Sequence, residues 1–141
     1  MDDPFELDRF VVAQDTGDAY QRAVGELRAG AKRGHWMWFV FPQIAGLGYS
    51  QASRTYAISS LAEASAYLAH PVLGPRLTEC AAILAGLRDR TAEQIFGEVD
   101  ALKLRSSMTL FMRAAPGEPV FRQVLDRYFG GETDSATERR I

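Results

Sequence analysis

The sequence contains no asparagine and one cysteine, Cys80, among its 141 residues. Without asparagine there is no glycosylation sequon and no Asn-Gly hairpin turn. A single thiol excludes an intramolecular disulfide and a thiolate metal cluster, and it is typical of a reducing compartment. The longest apolar run, Trp36–Phe41, is much shorter than the roughly 20 residues that cross a bilayer, and the chain begins with acidic residues rather than a basic leader. We therefore expect a cytoplasmic protein with no membrane partner.

An excess of basic charge is also lacking. The chain has 16 Lys and Arg against 18 Asp and Glu, a net charge of −2, which argues against binding a nucleic-acid polymer. Basic residues nevertheless cluster locally between positions 22 and 33, where four of them accompany Glu26 alone. Such a local cluster suits a small anion rather than a polymer.

Recognisable catalytic and cofactor motifs are missing as well. The two histidines, His35 and His70, have no recurrent carboxylate spacing, so we predict no metal site. The sequence has no Gly-x-Ser-x-Gly elbow, no Walker loop and no dinucleotide fingerprint. We therefore predict no cofactor, and the sequence does not decide whether the protein is an enzyme.

What the chain does contain is a series of short amphipathic segments separated by glycine and proline. Capping patterns begin at Ser60 and Thr91, and Glu118-Pro119 begins the last strong helix. The spacing predicts an all-α fold, a compact single-domain bundle of about six to eight short helices. We expect one domain over residues 1–141, with an ordered core at about 3–131 and a polar, partly frayed tail at 132–141.

Several helix limits can be predicted from individual residues. Asp3-Pro4 should begin the first helix, Gly97 should stop the short turn that Thr91 opens, and Asp100 should cap a new helix to about Ala115. His70 is expected to cap the last carbonyls of the helix before it. Residues 44–50 are predicted to form a loop.

The apolar run His35–Phe41 is compatible with a buried strand or a buried helix. No neighbouring segment reads as a pairing strand, and an unpaired strand in the core would leave its backbone groups without partners. We therefore interpret the run as a short buried helix or turn that Pro42 ends.

The first candidate site segment is Lys32–Gln43, in which cations precede two Trp and two Phe. The aromatic rings are either core alone, or core that also forms the wall of a ligand cleft. In the second case Trp36 or Trp38 stacks a planar group, Arg33 holds an anion, Gln43 orients the ligand and His35 transfers a proton.

The second candidate segment is Lys103–Phe111. At helical spacing, Lys103, Ser106 and Ser107 share one side, while Leu104 and Met108 lie opposite. Lys103 lies near a helix start, where the dipole disfavours a cation. It is therefore either retained for a ligand or paired in a salt bridge with Asp100 or Glu98.

Two hypotheses of function follow. In the first, the two segments meet and form an aromatic, cationic cleft that binds or acts on a nucleotide-like or anionic small molecule, with site residues Arg33, His35, Trp36, Trp38, Gln43, Lys103, Arg105, Ser106 and Ser107. In the second, the protein is a non-catalytic helical interaction module, its partner being another protein or copies of itself in a small homo-oligomer. A contiguous apolar patch larger than about 400 Å² away from any cleft would mark this second case. The sequence leaves monomer and small homo-oligomer both open.

Five groups of residues together resemble the bacterial domain-of-unknown-function 1810 family, whose members often carry the misleading title calpastatin. They are Asp3-Pro4-Phe5 with Arg9-Phe10-Val11, His35 to Gln43, Tyr56-Ala57-Ile58, His70 to Gly74, and Lys103-Leu104 with Ser106 to Phe111. The resemblance implies a compact, mostly α-helical single domain and a helix within His35–Phe41. It implies no established activity.

Overall fold

The computed structural model describes residues 2–141, and within them the regular structure is helical apart from an isolated bridge between Ile44 and Ile58. No helix in that range combines the length and the apolar character needed to cross a membrane. The predicted all-α fold class is confirmed. The helices are α1 (Asp8–Asp15), α2 (Ala19–Ala29), α3 (Met37–Val40), α4 (Gln51–Thr55), α5 (Leu61–Ala69), α6 (Leu73–Gly86), α7 (Ala92–Ala114), α8 (Pro119–Phe129) and α9 (Ser135–Glu138).

Local capping residues set several helix ends as the sequence predicts. The Ser60 hydroxyl accepts a hydrogen bond from the backbone N–H of the third residue of α5. Thr91 and Gln94 form a reciprocal capping box at the start of α7. Gly97 has φ 79° and ψ 166°, so helical geometry is interrupted there as expected, although α7 continues beyond it.

The first helix begins later than predicted. The Asp3 carboxylate accepts hydrogen bonds from the backbone N–H groups of Leu7 and Asp8 at 2.7 and 3.0 Å. Between them Glu6 has φ 54°, a left-handed conformation that a continuous right-handed helix does not contain. Asp3 therefore caps a turn, and α1 starts only at Asp8.

His70 caps a different helix from the one predicted. Its Nδ1 atom accepts hydrogen bonds from the backbone N–H groups of Val72 and Leu73, at 3.1 and 3.3 Å. These are N–H groups at the start of α6, which have no partner inside that helix. The imidazole therefore stabilises the beginning of α6, and the prediction that it caps the carbonyls of α5 is wrong.

Residues 132–141 are docked against the domain, where the sequence predicts a partly frayed tail. The Asp134 carboxylate accepts hydrogen bonds from Ser106 and from Thr137, which is fully buried. The Arg105 guanidinium donates to the carbonyl groups of Glu132 and Thr133. This segment includes α9 and packs along α7.

A line of four aromatic rings forms the centre of the core. Phe10, Tyr67, Phe111 and Phe121 are fully buried. Successive ring centres are 5.1, 5.3 and 6.0 Å apart, which is within the range of favourable aromatic pairs. The rings come from α1, α5, α7 and α8, so the line joins helices that are distant in sequence.

Helices α5 and α6 approach each other closely at Gly74. A Cβ atom at this position would lie 2.0 Å from the carbonyl oxygen of Leu68. A backbone oxygen cannot swing aside as a flexible side chain does, so only glycine fits here.

We expect Gly74→Ala to lower the free energy of unfolding by about 1–3 kcal/mol, because the added methyl group forces the two helices apart. Gly86→Ala is the matched control, since a Cβ at that end of α6 meets nothing within 4 Å, and its effect should stay within about 0.5 kcal/mol. Equilibrium urea unfolding measures both values. Equal stability of the two variants would contradict this close approach.

Candidate functional site

A cleft of about 470 Å³ lies between the chain that follows α3 and the middle of α7. The two segments that the sequence singles out therefore meet, although only part of each reaches the cleft. Four of the predicted site residues line it: Trp38, Gln43, Lys103 and Ser106. The other lining residues are Leu47, Gly48, Tyr49, Ser50, Ser53, Val99 and Leu102.

The closest link between the two segments is a cation–π contact. The Lys103 ammonium lies 4.2 Å from the centre of the Trp38 ring, within the distance at which the ring quadrupole attracts a cation. Lys103 also contacts Asp100, with Nζ and Oδ1 3.2 Å apart. The salt bridge considered from the sequence is thus present, and it coexists with the position of Lys103 in the cleft.

The Asp100 carboxylate is shared between two lysines. Lys32 Nζ lies 2.8 Å from Oδ2, while Lys103 contacts the other oxygen. Burial raises the pKa of Asp100, but the hydrogen bonds and charges of the two ammonium groups outweigh it and lower the pKa from its ordinary value. Asp100 is therefore ionised near neutral pH and fixes both lysines.

One polar atom beside the cleft has no hydrogen-bond partner. The indole Nε1 of Trp38 is buried without an acceptor among the described residues. An unsatisfied buried donor costs about 1–3 kcal/mol. Trp38 thus differs from Trp36, whose indole N–H donates to Glu26, and its unpaired donor calls for an explanation.

The Ser106 hydroxyl donates its proton to an acceptor within the protein. It lies 3.0 Å from the Asp134 carboxylate and 3.1 Å from the carbonyl oxygen of Leu102, and its single proton serves one of these two acceptors. Toward the cleft, Ser106 can only accept a hydrogen bond.

Exposed apolar side chains form the rim of the cleft. Tyr49, Val99 and Leu102 are 86%, 67% and 63% exposed. Among residues 2–141 these are three of the four exposed large hydrophobic residues, the fourth being Val12. Exposed apolar surface is therefore concentrated at this cleft.

Two further predicted residues, His35 and Trp36, line a different cavity of about 210 Å³, together with Arg22 and Glu26. Trp36 is only 3% exposed, and its indole N–H donates to Glu26 Oε1 at 2.9 Å. The same oxygen accepts backbone N–H bonds from Arg33 and Gly34. Burial raises the pKa of Glu26, but these three hydrogen bonds and the charge of Lys32 lower it overall.

The side chain of Arg33 is exposed and does not line the cleft. Arg105 is directed to the carbonyl groups of Glu132 and Thr133 instead. Ser107 is fully buried, and its hydroxyl has no partner among the described residues. The side of α7 predicted to be polar and open is open only at Lys103, because every residue from 106 to 112 is buried.

Sequence reasoning missed the rim residues Tyr49, Val99 and Leu102, and also the lining residue Leu47. Tyr49 had a usable signal, because an aromatic residue within the glycine-rich stretch 46–50 has no apolar periodicity that would bury it. Val99 and Leu102 had a weaker signal, since they are apolar residues outside the buried stripe of α7. No three His, Cys, Asp or Glu side chains in residues 2–141 are grouped so that they could hold a metal ion.

Comparison with known proteins gives a family and a structural relative. Residues 4–141 match the family model described as "Protein of unknown function (DUF1810)". The crystal structure of the conserved hypothetical protein Rv1873 from Mycobacterium tuberculosis is 54% identical, with 97% of this chain and 96% of that chain covered and a TM-score of 0.94. No curated protein matches the chain. Neither description states an activity.

We expect Asp100→Asn to lower the free energy of unfolding by about 1–3 kcal/mol near neutral pH, because Lys32 and Lys103 lose their shared carboxylate. Since the two ammonium groups lower the pKa of Asp100 below that of a free aspartate, this stabilisation is complete well above the ordinary aspartate pKa. It is lost as the pH falls through the lowered pKa.

Urea unfolding over a pH series measures the difference in the free energy of unfolding between wild type and Asp100→Asn. This difference should shrink as the pH falls through the lowered pKa of Asp100. Asp126 is exposed on α8, so Asp126→Asn is the control. It should have little effect on the free energy of unfolding at any pH. A difference that stays constant into acid would contradict the paired state of Asp100.

Proposed function

This chain belongs to the DUF1810 family, as its motifs predict, and because the function of that family is unknown we propose one from the cleft. The protein binds a small molecule that is planar or apolar over most of its surface and carries an anionic group. The observation that carries the proposal is the Lys103 ammonium, held 4.2 Å from the Trp38 ring in a cleft of about 470 Å³.

The size and lining of the cleft support a small ligand. Ligand sites are concave, mostly apolar, and typically about 300–1,000 Å³ in volume, with a few polar groups that orient the ligand. Here Trp38, Leu47 and Leu102 supply apolar surface, and Gln43 and Lys103 supply polar groups. Nucleotide-like molecules and simpler anionic aromatic or acyl compounds both combine the required features.

The charge at Lys103 supports an anionic group. Its ammonium is half-buried and held by Asp100 and the Trp38 ring, so little side-chain entropy remains to be lost on binding. An ammonium has three N–H donors, and the salt bridge to Asp100 uses one of them. The others are available to a ligand.

The alternative function, a protein-interaction module, would be marked by exposed apolar surface away from any cleft. Three of the four exposed large hydrophobic residues in the described chain border the cleft instead. This distribution favours a ligand site over a separate docking surface.

We expect the thermal stability of the protein to rise in the presence of at least one class of small anion. A ligand at a hundred times its Kd adds about 2.7 kcal/mol to the free energy of unfolding. A thermal-shift panel of nucleotides, ADP-ribose derivatives, and aryl and acyl carboxylates provides the measurement.

The panel is repeated with Lys103→Met, in which the rise should be lost. Arg122→Met removes the same charge from an exposed position on α8 that does not line the cleft, and it should keep the full rise. A rise that survives in Lys103→Met, or no rise with any compound, would contradict the proposed site.

A further inference from the structure

The charges beside the cleft correspond to a single negative charge on the ligand. Among the described residues, Lys103 is the one cationic side chain that lines the cleft. Its neighbour Asp100 is also paired with Lys32. These three side chains, two ammonium groups and one carboxylate, together carry one net positive charge.

Few side-chain hydrogen-bond donors line the cleft. The Ser106 hydroxyl serves Asp134 or a backbone carbonyl, and the Ser53 hydroxyl donates to a backbone carbonyl at 2.8 Å. The half-buried lining residues whose side-chain donors remain are Lys103, Gln43 and Trp38, the last with its unpartnered indole N–H. No arginine is among the described residues that line the cleft, so the bidentate arginine fork with which proteins often hold a phosphate is missing there.

The rest of the lining is apolar. Trp38, Leu47, Val99, Leu102 and the ring of Tyr49 surround the polar end at Lys103. A sugar or a polyol would leave its hydroxyl groups against these side chains without partners, which is costly. An aromatic ring or an acyl chain would instead bury apolar surface on both sides.

We infer that the cleft binds a monocarboxylate with an aromatic or acyl body, rather than a nucleotide or another phosphate ester. The carboxylate lies at Lys103, and the apolar body lies against Trp38 and Leu102. This inference rests on the proposed function, because it names the ligand class of the same site.

The test compares head groups on a constant body. The probes are 1-naphthaleneacetate, the neutral 1-naphthaleneacetamide and 1-naphthyl phosphate, together with octanoate, octanamide and octyl phosphate. The chain has two tryptophans, so a ¹H–¹⁵N correlation spectrum contains two indole signals. Trp38 reports on the cleft, and Trp36, which is bonded to Glu26 outside it, is an internal control.

In each series the carboxylate should bind at least about tenfold more tightly than the amide, the difference that a charge-assisted hydrogen bond confers. It should also bind more tightly than the phosphate, and it should shift the Trp38 signal more than the Trp36 signal. Equal affinity for carboxylate and amide, or tighter binding of the phosphate, would overturn this inference while leaving a ligand cleft in place. No shift of Trp38 with any probe would overturn both the inference and the proposed function.

Two variants separate charge from packing. In Lys103→Met the preference for carboxylate over amide should disappear, whereas in Arg122→Met it should remain. The spectrum of each variant shows directly whether it is folded. An unchanged carboxylate preference in folded Lys103→Met would overturn the inference.

Discussion

The carboxylate of Asp100 holds together the two parts of the chain that form the cleft. One of its oxygens contacts Lys32, which precedes the aromatic segment, and the other contacts Lys103 on α7. A backbone hydrogen bond of 2.8 Å from Lys32 to the carbonyl of Ile95 reinforces the same junction. Because Lys103 is fixed from this side, its ammonium lies over the face of Trp38. The position of Lys103 in the cleft thus depends on a partly buried anion outside it.

How much of the fold the sequence predicts depends on the range of the interactions involved. Thr91 and Gly97 act on residues within one helical turn, so a capping pattern and a glycine are enough to place a helix start and a break. The burial of Glu63 depends on a distant residue instead. Its carboxylate pairs at 2.9 Å with the guanidinium of Arg9, which is 54 residues away in the sequence. No local pattern contains that contact. The docking of residues 132–141 likewise depends on the contact between Ser106 and Asp134, 28 positions apart. Their polar composition alone predicts a tail.

The site was predictable to the same extent. Both candidate segments reach the cleft, but neighbouring residues within each segment lie in different environments. The indole N–H of Trp36 donates to Glu26 away from the cleft, whereas Trp38, two positions later, lines the cleft. In a helix of only four residues, tertiary contacts determine where each ring points. On α7, Arg105 donates to the C-terminal segment and Ser106 lies 3.0 Å from the Asp134 carboxylate. The sequence of α7 alone does not reveal these contacts.

The most direct test of this account is a crystal structure of the protein with 1-naphthaleneacetate bound. The account predicts that the carboxylate lies within hydrogen-bond distance of Lys103 Nζ, about 3 Å, with the naphthalene rings against Trp38 and Leu102 and the Asp100 contacts intact. A ligand found instead in the cavity beside His35 and Glu26, or bound with its carboxylate directed into solvent away from Lys103, would contradict it.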